Sequence, residues 1–159
     1  MGGILVLGLG NILQGDDGMG VHVVRWLAEH APNTDAVFLD GGTIGSLLLV
    51  TLLEGVDTLL VVDAMELGFK AGRVTVLQGE EMDRLLVRPK ASSVHEVGLG
   101  ELLDMARLCG CLSARRALLG IQPWEIGWSD TLSPPLAQVL PDAGRRALAL
   151  LAEWRHEAH

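Results

Sequence analysis

Short apolar runs alternate along this chain with stretches in which apolar positions recur every three or four residues, the pattern of strands feeding helices. Ile4 to Leu7 is an apolar run closed by glycines, and Val21, Val24, Leu27, Ala28 and Ala31 follow at helical spacing. The opening therefore reads strand, loop, helix. Ala36 to Leu39 is a second short strand stopped by Asp40-Gly41-Gly42, after which Thr43 can cap a helix carrying Leu47, Leu48 and Leu52. Thr58 to Val62 offers apolar side chains to both faces, as a parallel strand covered on both sides requires, and it ends on Asp63.

Gly72 to Leu77 alternates polar and apolar residues, which suits a half-exposed edge strand and allows an antiparallel run. A polar connection through Pro89, Ser92 and Ser93 leads to His95 at the entrance of a helix carrying Leu99, Leu102, Leu103, Ala106 and Leu108. Arg116 to Ile121 reads as the last strand. Ser133-Pro134-Pro135 then opens a final helical region with Ala143, Ala147, Leu151 and Trp154 on its later face, and Pro141 is expected to kink or restart it. The order of elements predicts one α/β domain over residues 1–159, a three-layer αβα sandwich around a mainly parallel twisted sheet with one antiparallel edge strand.

Composition narrows the class. The 159 residues suffice for a core without disulfides, and charges or glycines interrupt every apolar run short of a membrane span. The N-terminus has no basic segment or cleavage site of a secretory signal, so the expected compartment is the cytoplasm, with no membrane partner. Twelve basic against twenty acidic residues give a net charge of -8, which opposes phosphate backbones and argues against nucleic acid. Cys109 and Cys111 fit neither a redox nor a zinc spacing and read as small buried hydrophobes.

In an open α/β sheet the ligand site lies beyond the carboxyl ends of the strands, where strand order reverses. Asp16 and Asp17 follow the first strand, Asp40 the second and Asp63 the third, and His95 begins a later helix. Asp17, Asp63 and His95 make a set that can hold nickel, zinc, manganese or iron, and equally a network of capping hydrogen bonds. Gly8-Leu9-Gly10 after a strand suggests a dinucleotide fingerprint with Asp40 on a ribose, but Leu13 stands where the third glycine belongs and Asp16 and Asp17 would oppose a pyrophosphate. Phosphate-loop, serine-elbow and zinc-helix motifs are absent. His22 lies among core-facing valines and reads as packing or surface. Trp124 and Trp128, flanking Gly127, read either as a plug over the core or as a lip for a peptide.

Taken together, these segments resemble the hydrogenase maturation endopeptidases, small nickel-dependent processing proteases. Gly8-Leu9-Gly10-Asn11-Ile12-Leu13 with Asp16-Asp17-Gly18-Met19-Gly20 resembles the family's opening motif, and Asp40-Gly41-Gly42-Thr43-Ile44-Gly45 its second. Val62-Asp63-Ala64 with Gly68 resembles the third, and His95-Glu96-Val97-Gly98-Leu99 the fourth. Gly120-Ile121-Gln122-Pro123, Gly127 and Leu132-Ser133-Pro134 resemble the closing segment, so the likeness runs nearly end to end. It implies that Asp17, Asp63 and His95 are metal ligands, with Asp17 a methylene shorter than the Glu common there. It also implies a nickel ion that arrives bound in a hydrogenase large-subunit precursor, whose C-terminal extension is cleaved. The resemblance further implies that other divalent ions such as zinc or cadmium can occupy the same ligands in crystals. Hydrolysis then proceeds by a water polarised at the metal or by one activated by a carboxylate, for which Asp16 and Asp40 are the catalytic candidates.

Overall fold

The first apolar run folds as β1 (Gly3–Leu9), followed by a 3-10 turn at Asp16–Gly18 and helix α1 (Met19–His30). Strands β2 (Val37–Gly42), β3 (Val56–Ala64) and β4 (Val74–Gln78) come next, then helices α2 (Glu80–Leu86) and α3 (Val94–Leu108), strand β5 (Arg115–Ile121) and helix α4 (Pro134–Glu157). This computed structural model describes residues 2–42, 53–86 and 94–158, with side chains from residue 99 in the last segment. The helix expected after Thr43 and the connection through Pro89, Ser92 and Ser93 lie outside the described residues, as does the side chain of His95.

The sheet order is β2-β1-β3-β5-β4. β1 runs parallel to both β2 and β3, β3 runs parallel to β5, and β4 closes the edge antiparallel to β5. Because β1 lies between β2 and β3, strand order reverses around it, and the crevice of an open α/β sheet falls at the carboxyl ends of β1 and β3. Alternation along the strands sorts two cores. Val6, Leu60, Val62, Leu119 and Ile121 pack with α1 and α4, while Leu7, Leu59, Val61, Leu118 and Met65 pack with α2 and α3. Asp63, between Val62 and Ala64, therefore belongs to the α3 face, and Asp40, one strand position beyond Leu39, to the α1 face.

Helix α1 sits unusually close to the sheet at its start. A Cβ on Gly20 would stand 2.1 Å from the Val62 carbonyl oxygen and 2.6 Å from that of Leu9, and one on Gly8 would stand 2.5 Å from the Gly20 oxygen. Only hydrogen side chains fit this seam, which presses the first turn of α1 onto β1 and β3.

Three expectations change. The closing helix does not restart at Pro141 but runs as one element, with buried Leu136 before the proline and Ala143 and Ala147 after it docked in the same core. The lost N–H bond is tolerated where packing holds both halves. Helix α2 stands between β4 and Pro89, in residues for which no element was expected; its short run of Glu80, Glu81, Asp83 and Arg84 offers only Met82 as a buried residue. Cys109 is exposed and Cys111 half-buried, because the chain leaves α3 through a turn at Gly110, with φ of 71°, before reaching β5. No helix among the described residues is long and apolar enough to cross a membrane.

Candidate functional site

The loop after β1 folds back on itself. Gly10 has φ of 119°, and a Cβ there would meet the Asp17 carbonyl oxygen at 1.9 Å, so the space a pyrophosphate needs is occupied by the chain. That excludes the dinucleotide reading on geometry. The Asp17 carboxylate accepts the Asn11 backbone N–H at 3.1 Å, which fixes the loop around the residue.

Asp17 and Asp63 are buried, at 5% and 0% exposure, and the 3-10 turn that carries Asp17 packs against β3. Two carboxylates at one switch point must be compensated by protons, hydrogen bonds or a cation. Carboxylate oxygens with an imidazole nitrogen are a donor set that suits a borderline divalent ion, and the glycine seam brings the start of α1, next to the turn of Asp17, against β1 and β3. Helix α3 begins at Val94 on the Asp63 face and leads back toward the start of β5, so His95 starts its helix toward the same rim. Among the described side chains no three histidine, cysteine or acidic groups gather at one point, and the His95 side chain is not among them.

Asp16 is a different kind of residue from its neighbour. It is fully buried, and its Oδ2 accepts the backbone N–H of Trp124 at 2.9 Å and of Glu125 at 3.0 Å. The Ser133 hydroxyl donates to the same oxygen at 2.7 Å, while the Ser133 N–H donates to Oδ1 at 2.8 Å. Ser133 precedes α4 but gives its hydroxyl to Asp16 and leaves its own helix without a side-chain cap. Asp16 thus ties the loop after β1 to the segment after β5. Asp40 is half-exposed on the α1 face and pairs with Arg25 at 3.1 Å.

A second buried polar hub is Gln122, immediately after β5. Its Oε1 accepts the N–H groups of Leu67 at 2.8 Å and Phe69 at 3.2 Å, and its Nε2 donates to Glu66 at 2.8 Å. It organises the loop that follows Asp63. The position was legible only as part of a motif, although a lone polar residue closing an apolar strand was a signal. His22 is half-buried beside Arg25 and Asp40; burial, reinforced by the Arg25 charge, pushes its imidazole below the ordinary 6.5. Trp124 and Trp128 do not plug the core: they stand exposed along a cleft lined also by Gly15, Asp16, Ser133 and Pro134. Neither Asp17 nor Asp63 lines that cleft, whereas Asp16 does.

A family model for hydrogenase maturation proteases matches residues 21–150. The hydrogenase expression/formation protein HupD of Bradyrhizobium diazoefficiens is 37% identical over 153 residues, covering 95% of this chain and 79% of its own length. The hydrogenase 2 maturation protease of Escherichia coli is 34% identical over 157 residues, 98% of this chain and 94% of its own. Among solved structures, the Escherichia coli hydrogenase maturating endopeptidase HybD aligns with a TM-score of 0.85 and 31% identity, covering 95% of this chain and 93% of that one.

Proposed function

Since the chain belongs to the hydrogenase maturation protease family, we propose that it removes the C-terminal extension of a nickel-loaded hydrogenase large-subunit precursor, with Asp17, Asp63 and His95 meeting the nickel. The observation that carries this reading is the pair of buried carboxylates, Asp17 and Asp63, at the switch point of the sheet, on the rim toward which the helix of His95 begins. Nickel enters as cargo of the substrate and supplies a Lewis-acidic centre near the scissile bond. Three protein ligands leave room for ligands from the substrate, so docking reports that the metal has been inserted and brings the peptide bond into place.

Two observations bear on what activates the water. Both oxygens of Asp16 are engaged by Trp124, Glu125 and Ser133, and Asp40 is turned to the α1 face in an ion pair. They favour a water polarised at the substrate's metal and make Asp16 a positioning residue. The cysteines follow α3 on the way to the amino end of β5, away from the carboxyl rim, and no serine elbow occurs in the sequence.

The test is a processing assay on purified precursor with and without nickel, read by the mass of the trimmed product. Cleavage confined to the nickel-loaded form and unaffected by thiol or serine reagents is the expected result. Equal cleavage of the nickel-free form refutes the role given to the metal.

A further inference from the structure

The geometry points to a docking groove beside the loop of Asp17, and we propose that it receives an extended, basic segment of the polypeptide substrate. The inference rests on the endopeptidase reading and names the chemistry of what that reading must bind. Trp124 is 66% exposed and Trp128 83%, and they border a cleft of about 690 Å³. Leu13 and Ile126, at 55% and 50%, stand exposed on the two segments that join beside it. Large apolar side chains gathered in water on one small region mark an interaction surface.

The surface is held in shape without an occupant. Gly15 donates to the Ser129 carbonyl at 2.8 Å, Ser129 to that of Leu13 at 3.0 Å, and Asp16 to that of Glu125 at 3.3 Å. The Asp16 carboxylate fixes the other side through Trp124, Glu125 and Ser133. A partner therefore meets a preorganised wall and loses less to ordering it.

Charge selects the occupant. The Asp16 carboxylate is buried and spent on its own donors, so the charged side chain that the cleft offers is that of Glu125, with no basic residue among the described lining, on a chain of net charge -8. Lysine or arginine can lie over an indole face and near a carboxylate, whereas an acidic partner is repelled. Extension follows from function, since a protease must receive a single strand of backbone. Asp16 lines the cleft and Asp17 is the next residue, so the groove lies beside the loop that carries Asp17.

The test is titration of the purified full chain, followed by tryptophan fluorescence, with a short blocked peptide alternating leucine and arginine and with its counterpart carrying glutamate for arginine. Saturable binding of the arginine peptide, weaker by about tenfold for the glutamate peptide, is expected. The double variant Trp124→Ala, Trp128→Ala should lose binding, read by calorimetry, and Glu125→Gln should weaken it severalfold. The control Leu108→Ser, at the far end of α3, should bind like the native chain. Equal affinity for the two peptides, or binding that survives the double substitution, overturns the proposal. The titration needs no bond cleavage, so a chain that binds as expected yet fails to process precursor supports the groove and sinks only the endopeptidase reading. A native chain that processes precursor, with KM unchanged in the double tryptophan variant, sinks only the groove.

Discussion

Asp16 and Asp17 are adjacent and chemically identical, yet the fold uses them differently. The Asp17 carboxylate accepts the Asn11 N–H within its own loop, whereas Asp16 collects four donors from segments more than one hundred residues away. An amide in its place has one acceptor oxygen, and its N–H₂ would face donors, so Asp16→Asn should lose at least about 2 kcal/mol of stability. Denaturant unfolding measures this, and a change within about 0.5 kcal/mol would show the network to be dispensable. His22 sets a pH response. Its folded pKa lies below 6.5, so as pH falls through 6.5 the unfolded chain takes up a proton that the folded chain resists. Stability should be level on this account above that value and decline below it until the folded group titrates. Urea unfolding of the native chain and of His22→Asn between about pH 7.5 and 5.5 tests it; an equal slope in both removes His22 as the cause. Asp63 was picked out because a carboxylate closing an apolar strand has a simple sequence signature, and Asp17 because it lies in the glycine-rich loop after the first strand. The hub role of Asp16 was not, because backbone N–H groups carry no residue identity.

At the scale of elements, the strands were the readable part. β1, β3 and β5 are runs of apolar residues whose ends vary by one or two residues from expectation, and edge strand β4 shows the alternation that half-exposure produces. Helix α2 escaped notice because its attachment is electrostatic as much as apolar. Arg116 of β5 grips Asp83 through Nε at 3.0 Å and Nη2 at 2.5 Å, with Arg107 of α3 at 3.6 Å from the same carboxylate. The hydrogen bonds from Arg116, aided by its charge and that of Arg107, hold the Asp83 carboxyl below its ordinary 3.8 against the effect of burial. This contribution is complete above pH 3.8 and fades as pH falls through the lower folded value. Asp83→Asn should cost about 2 kcal/mol, less than a fully buried pair because both partners keep some contact with water. Unfolding at neutral pH checks the loss, and the native and variant proteins should converge in strong acid; a gap that persists there would assign the loss to packing.

For the whole molecule, the alternation of strands and helices predicted the layered sheet, and the strand order that the sequence could not supply is what makes the prediction useful. Placing β1 between β2 and β3 turns three separate sequence motifs into one rim. Alternation within the strands then divides that rim: Asp63 goes to the α3 face and Asp40 to the α1 face, a separation invisible until register was known. The central proposal is that Asp17, Asp63 and His95 act together on a nickel-bearing precursor. The most direct measurement is single-turnover processing of nickel-loaded precursor by Asp17→Asn, Asp63→Asn and His95→Ala, each first shown to unfold cooperatively like the native chain. The account predicts that every variant loses at least about a hundredfold in rate, as expected when an interaction worth roughly 3 kcal/mol in the transition state is removed. Undiminished cleavage by all three would contradict it.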